Sequence, residues 1–163
     1  MSQVSLPPSL HPDLPLTALA PMQDVTNHWF MKVIAHYGSP DYFFTEYFRV
    51  HDTSRLNPSI LAAITENDTG RPVFAQMIGE SIPDLVRTAK ELCGYNIAGV
   101  DLNMGCPVPR IYRKNVGGGL LLSPEKVDRI LGELRSAVND RPLTVKMRVG
   151  FENTDTFYEI LNL

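Results

Sequence analysis

The stretch VFAQMIGESIPDLVRTAKELCGYNIAGVDL, residues 73–102, decides the fold. Gly70-Arg71-Pro72 breaks the chain just before it. Val73 to Met77 is a short apolar run that reads as a buried strand. Ser81 opens a helix, with Pro83 near its start and Asp84 in its first turn. Leu85, Val86, Ala89 and Leu92 share one face, and Gly94 is the stop. Ile97 to Leu102 is a second apolar run. A strand, an amphipathic helix and another strand at this spacing imply a parallel pair with a crossover helix.

The same alternation continues on both sides. Upstream, Leu16 to Ala20 is an apolar run that stops at Pro21. Thr26 is the expected cap of a helix with Phe30, Val33, Ile34 and Tyr37 as its apolar positions and Gly38 as its end. The aromatic run Tyr42 to Phe48 reads as one strand, and Ser54 to Ile64 as a weaker helical segment. Downstream, Ser123-Pro124-Glu125 starts a helix with Val127, Ile130, Leu131, Leu134 and Val138 at helical spacing. Leu143 to Val149 is a further strand, and Thr154 to Leu163 looks like a helix cut short. About five strands emerge, each followed by helical sequence. No GxGxxG follows the first strand, so a doubly wound dinucleotide-binding domain is disfavoured. The expected fold is α/β: a partial (β/α)8 TIM barrel, about the first five βα units and C-terminally truncated, since a whole barrel takes about 250 residues.

Composition narrows the class. Of 163 residues, 44% are apolar, enough for one domain with a core. No run of about 18 apolar residues is present to span a membrane. Met1 to Pro12 is polar and proline-rich, without the basic start and apolar centre of a secretory signal. Residues 1–13 are read as a loose leader and 14–163 as an incomplete barrel domain. The net charge of −3 argues against a general nucleic-acid coat but leaves room for a local basic patch. Two cysteines are too few for a disulfide scaffold, which fits a reducing, cytoplasmic compartment.

In parallel α/β folds, ligands gather at the C-terminal ends of the strands. Here those ends carry Pro21-Met22-Gln23, Thr45-Glu46 with Arg49, Gln76, Asp101 through Pro107, and Lys146 with Arg148. Polar groups in apolar strands are costly unless paired, so several at one end of a sheet suggest a site. Lys146 and Arg148 point to the same side of their strand. They fit an exposed edge strand, or a buried cation facing an anionic ligand. Gln76 fits a satisfied core amide, or a donor and acceptor reading a ligand edge. Cys93, at the end of an amphipathic helix, reads as a small apolar residue. Cys106 differs: it follows a strand, precedes a proline and lies in a loop beside Gly105. A free thiol has a pKa near ~8.5, so it carries a proton to give at neutral pH. It is also a possible nucleophile, although no histidine stands out as its partner. Arg110, Arg113, Lys114 and Gly117-Gly118-Gly119 then combine cations with permissive backbone. They read as a solvated loop or as a phosphate contact.

Together, Leu19-Ala20-Pro21-Met22, Thr45-Glu46, Gln76-Met77, Asp101-Leu102-Asn103-Met104-Gly105-Cys106-Pro107, Gly117-Gly118-Gly119-Leu120-Leu121 and Val145-Lys146-Met147-Arg148-Val149-Gly150 resemble the tRNA-dihydrouridine synthases, in order and spacing, from Leu16 to Gly150. The resemblance implies a barrel that holds FMN, with NADPH as reductant, tRNA as partner, no metal and no membrane. It implies that Pro21, Met22 and Gln23 line the flavin ring. Gln76 and Lys146 would contact its polar edge, and Asn103 would sit beside the flavin and the target base. Cys106 becomes the general acid in reduction of uridine to 5,6-dihydrouridine: hydride to C6, proton from Cys106 to C5. Glu46, Arg49, Arg110, Arg113 and Lys114 become candidate RNA contacts. The family's later strands, phosphate-binding loops and tRNA-binding helical domain have no counterpart in this chain. That implies weak FMN binding and little or no activity by the chain alone. Two other readings stay open: a flavin enzyme acting on a free pyrimidine, like dihydroorotate dehydrogenase, and an inactive truncated fragment.

Overall fold

In the computed structural model, which describes residues 4–109, 115–138, 140–151 and 153–163, the two runs of the deciding stretch lie side by side. They are β4 (Val73–Ile78) and β5 (Gly99–Met104), paired in parallel and joined by α3 (Ile82–Leu92). Before them come β1 (Ala18–Leu19), α1 (His28–Gly38), β2 (Tyr42–Phe44), β3 (Phe48–Arg49) and α2 (Pro58–Thr65). After them come a 3-10 segment (Gly117–Leu122), α4 (Pro124–Ala137), β6 (Leu143–Met147) and α5 (Phe157–Leu161). The sheet runs β1-β2-β4-β5-β6, with β3 also on β4, and every pairing is parallel. Sequential parallel strands with helical crossovers are the arrangement of a partial TIM barrel, as the alternation implied.

One face of the sheet packs on helices. Val73, Ala75, Met77, Val100, Leu102 and Met104 are buried in one core with Leu85, Ala89 and Leu92 of α3 and Val127, Ile130 and Leu134 of α4. Each such leucine stabilises the fold by roughly 1.5–3 kcal/mol. The residues between them face the other way, because strand side chains alternate. At the N-terminal end of that second face, Phe74 stacks on Phe44 at 5.0 Å and meets Tyr42 edge-on at 5.6 Å. Towards the C-terminal end the same face turns polar, with Gln76, Asp101 and Asn103.

Three expectations are corrected. The run 42–48 is not one strand. β2 pairs with Phe74 and stops, and β3 pairs with Met77 and Ile78. Between them the Thr45 hydroxyl accepts the backbone N–H of Gln76 at 3.0 Å, taking the place of a ladder carbonyl. Secondly, Asn27 rather than Thr26 caps α1, its side chain accepting from Phe30 N at 3.0 Å. Thr26 is buried, its hydroxyl accepting from Met22 N and donating to Met22 O. Thirdly, Val33 and Tyr37 of α1 face outward, and Met31 is the residue driven into the core.

Residues before β1 are tied down at two points. Leu10 N donates to Asp41 Oδ1, and the Tyr42 hydroxyl donates to the Pro7 carbonyl. Asp41 Oδ2 also accepts from Thr17 N at 2.7 Å and Thr17 Oγ1 at 2.8 Å. The backbone bond from Leu10 leads the causes that hold the Asp41 carboxyl down at about 2.

Gly99 starts β5 where no side chain fits. A Cβ there would lie 2.5 Å from the Pro142 carbonyl and 2.7 Å from the Phe74 ring. Gly99→Ala is expected to lower stability by about 1–3 kcal/mol through overpacking against backbone. A lower urea midpoint at unchanged m-value is the readout; an unshifted midpoint contradicts the close approach.

Candidate active site

The polar half of the sheet is organised as a chain of hydrogen bonds with one direction. Thr144 Oγ1 donates to Asp101 Oδ1 at 2.7 Å, and Gln76 Nε2 donates to Asp101 Oδ2 at 2.7 Å. Gln76 Oε1 accepts from Asn103 Nδ2 at 3.0 Å. Asn103 Oδ1 then accepts the backbone N–H groups of Gly105 and Cys106, each at 3.1 Å. An ionised carboxylate only accepts, so it fixes which end of the Gln76 amide faces it; that choice fixes Asn103 in turn. The strand register brings these residues together. Gln76 pairs with Asp101, Asp101 with Thr144, and Asn103 with Lys146.

Burial gives the chain its force. Gln76, Asp101 and Asn103 are 0%, 1% and 6% exposed, so water offers these groups little alternative. Burial also pushes the Asp101 carboxyl up to about 6. The bonds from Gln76 and Thr144 and the charge of Lys146 oppose that rise.

Cys106 sits half-buried where the chain of bonds ends. It packs with Tyr47, Ile78 and Val116. Its carbonyl accepts from Gly118 N at 3.1 Å, and a Cβ on Gly118 would press on that carbonyl and on the Phe151 ring. Gly105 passes the end of β6, its Cβ position 3.4 Å from the Lys146 carbonyl. The Cys106 loop and Lys146 thus share one end of the sheet, on neighbouring strands. Lys146 is exposed rather than buried, as is Arg148. Gln76 has the bonding of a satisfied core amide, with one amide hydrogen and one carbonyl lone pair left over.

The other expected residues form a second group. Gln23 Nε2 donates to Glu46 Oε2 at 2.9 Å, while Gln23 Oε1 is buried without a hydrogen-bond partner. Glu46 is itself buried. The Arg49 guanidinium lies 5.1 Å over the Tyr47 ring and donates to its hydroxyl at 3.2 Å. Gln23, Tyr47, Arg49, His51 and Arg55 line a cleft of about 420 Å³. Arg87 braces the cleft's rim through His51 O and Asp52 O at 2.8 and 2.9 Å. Tyr47 touches both groups, the cleft on one side and the Cys106 packing on the other. Pro21 is half-buried and Met22 is exposed in the β1–α1 loop. Arg110, Arg113 and Lys114 lie outside the described residues.

Sequence reasoning named Asp101 among the polar strand-end groups without giving it a role, and passed over Thr144 and Tyr47 as site residues. Period-two spacing held the signal for two of them: Asp101 stands two before Asn103, and Thr144 two before Lys146. Among the described residues, no group of three or more His, Cys, Asp or Glu is placed to hold a metal. No described helix is long and apolar enough to cross a membrane.

A family model described as dihydrouridine synthase (Dus) matches residues 18–162. A probable tRNA-dihydrouridine synthase of Staphylococcus epidermidis is 34% identical over 151 residues, covering 90% of this chain and 45% of that protein. Probable tRNA-dihydrouridine synthase 2 of Bacillus subtilis is 30% identical over the same shares. The chain spans about half the length of the curated relatives it matches.

The buried Asp101 makes stability depend on pH. Its folded-state pKa, about 6, lies above the ordinary 3.8. Its stabilising contribution is therefore full below the ordinary value and is lost as pH rises through about 6. Between pH 8 and pH 5 the chain should gain about 1 kcal/mol relative to its Asp101→Asn variant. Paired denaturation curves at the two pH values measure this, and a pH-independent difference contradicts it.

Proposed function

Because the chain belongs to the dihydrouridine synthase family, we propose that it carries the flavin-binding and proton-donating part of an enzyme that reduces specific uridines in tRNA to 5,6-dihydrouridine. The observation that carries this reading is the Cys106 loop. It is pinned by Asn103 at the sheet end where Lys146 also stands. A reducing, cytoplasmic compartment is part of the same reading.

The residues present suit FMN. Lys146 is an exposed cation on the same face as the Asn103 amide, a donor set for the polar edge of a ring that accumulates negative charge. Lys146 would meet that edge, aided by the amide hydrogen and lone pair that Gln76 retains. Asn103 would sit beside the ring and the target base. Pro21, Met22 and Gln23 would line the ring from the β1–α1 loop. Held there and reduced by NADPH, FMN would supply the hydride for C6 of the uracil.

The chain's own residues do the rest. The uridine must leave its stack to reach the site. The Asn103 bonds hold the Cys106 backbone, so the sulfur is presented at a fixed point and its proton passes to C5. The thiolate left behind regains a proton from solvent. Arg49, with Arg110, Arg113 and Lys114, would meet RNA phosphates. Glu46, an anion buried against Gln23, is better suited to hold that amide than to approach phosphate. The cationic cleft beyond Tyr47 supports a polymer substrate over a free pyrimidine, which needs no phosphate contact.

Cys106→Ala in the full-length natural polypeptide should lower dihydrouridine formation in tRNA by about 100-fold or more. Bound flavin and its reduction by NADPH should be unchanged. Mass analysis of digested tRNA and flavin absorbance measure the two; parental turnover in the variant refutes the acid role.

A further inference from the structure

We infer that Asp101 is a positioning residue for the proton donor: through Gln76 and Asn103 it sets how the Cys106 loop is held. The inference rests on the proton-donor reading of Cys106 and adds a residue to it.

The argument is one of polarity. Asp101 accepts at both oxygens, from Thr144 and Gln76. That leaves the Gln76 carbonyl to Asn103, and the Asn103 carbonyl to the N–H groups of Gly105 and Cys106. Each link determines the next. Without an acceptor at position 101 the Gln76 amide keeps only its bond from Asn103, and the buried donor it turns towards position 101 is left unpaired. Flipped, Gln76 would turn its NH2 on the NH2 of Asn103. Asn103 could answer only by flipping too, setting its NH2 against two backbone donors. The Cys106 loop would then lose both its anchors. Among groups facing Asp101, Gln76 on β4 and Thr144 on β6 are neutral donors, and Lys146 on β6 is the charged one.

A purely structural role fits poorly. Burial here opposes the charged form of the carboxyl group. The far end of the relay is also not core: it is the loop that presents the thiol.

Two substitutions separate the possibilities. Asp101→Asn can still accept from Gln76 while its NH2 donates to Thr144, whose hydroxyl reverses freely. It keeps the polarity. Asp101→Ala removes the acceptor. Both are made in the full-length polypeptide with FMN. Alkylation by iodoacetamide is read at the Cys106 peptide by mass analysis and followed with kcat and KM for tRNA at pH 8. In Asp101→Ala the alkylation rate should change at least threefold and kcat should fall at least tenfold, with KM within twofold. Asp101→Asn should stay within threefold of the parent in both rates at pH 8. Parental rates in Asp101→Ala, or an Asp101→Asn as impaired as Asp101→Ala, would each overturn the inference. If Asp101→Ala does not fold, Asp101→Leu, which fills the position without an acceptor, takes its place; if neither folds while Asp101→Asn does, the role is structural and the inference is overturned. If the parent reduces no uridine, the proposed function fails, and the alkylation rates still decide whether the relay exists.

Discussion

A carboxylate that water cannot reach, bonded to an amide on the next strand, organises the whole polar end of this sheet. Asp101 and Gln76 are register partners on β5 and β4. Their bond requires that pairing to be parallel and unshifted by even one residue, since a slip would turn one of them to the helix face. The apolar packing of Leu102 and Met104 on α3 and α4 enforces the register from behind. Core and site are therefore two faces of one constraint. The helices fix the strands by their apolar side, and the strands aim polar groups forward.

The sequence shows the frame well. The spacing of Leu85, Ala89 and Leu92, the stop at Gly94 and the apolar runs on either side were sufficient for the parallel pair and its crossover, because buried parallel strands and amphipathic helices leave strong periodicities. The apolar positions of α4 were legible for the same reason. Failures fell where short-range chemistry overrides pattern. Nothing in an aromatic run announces that a threonine hydroxyl will replace a carbonyl and end a strand early, as at Thr45. Thr26 and Asn27 are adjacent and both able to cap, and the choice went to the residue not already occupied with Met22.

The site was legible in part. Motif residues announced Asn103, Cys106 and Lys146, and the register sets them at one end of the sheet. Asp101 stood among the polar strand-end groups, but its role was hidden: a lone carboxylate in an apolar run reads as an anomaly until its two donors are known. Those donors come from 25 residues upstream and 43 downstream, separations that no local pattern spans. Lys146 shows the converse: its strand reads equally as edge or interior, and only the sheet order shows that it is exposed.

Tyr47 has a consequence of its own. Its ring lies under the Arg49 guanidinium at the cleft and packs with Ile78 in the small cluster that Cys106 and Val116 join. One aromatic ring is thus a hinge plate shared by two neighbourhoods. Whatever displaces the guanidinium on its outer side also disturbs the packing beside the Cys106 loop.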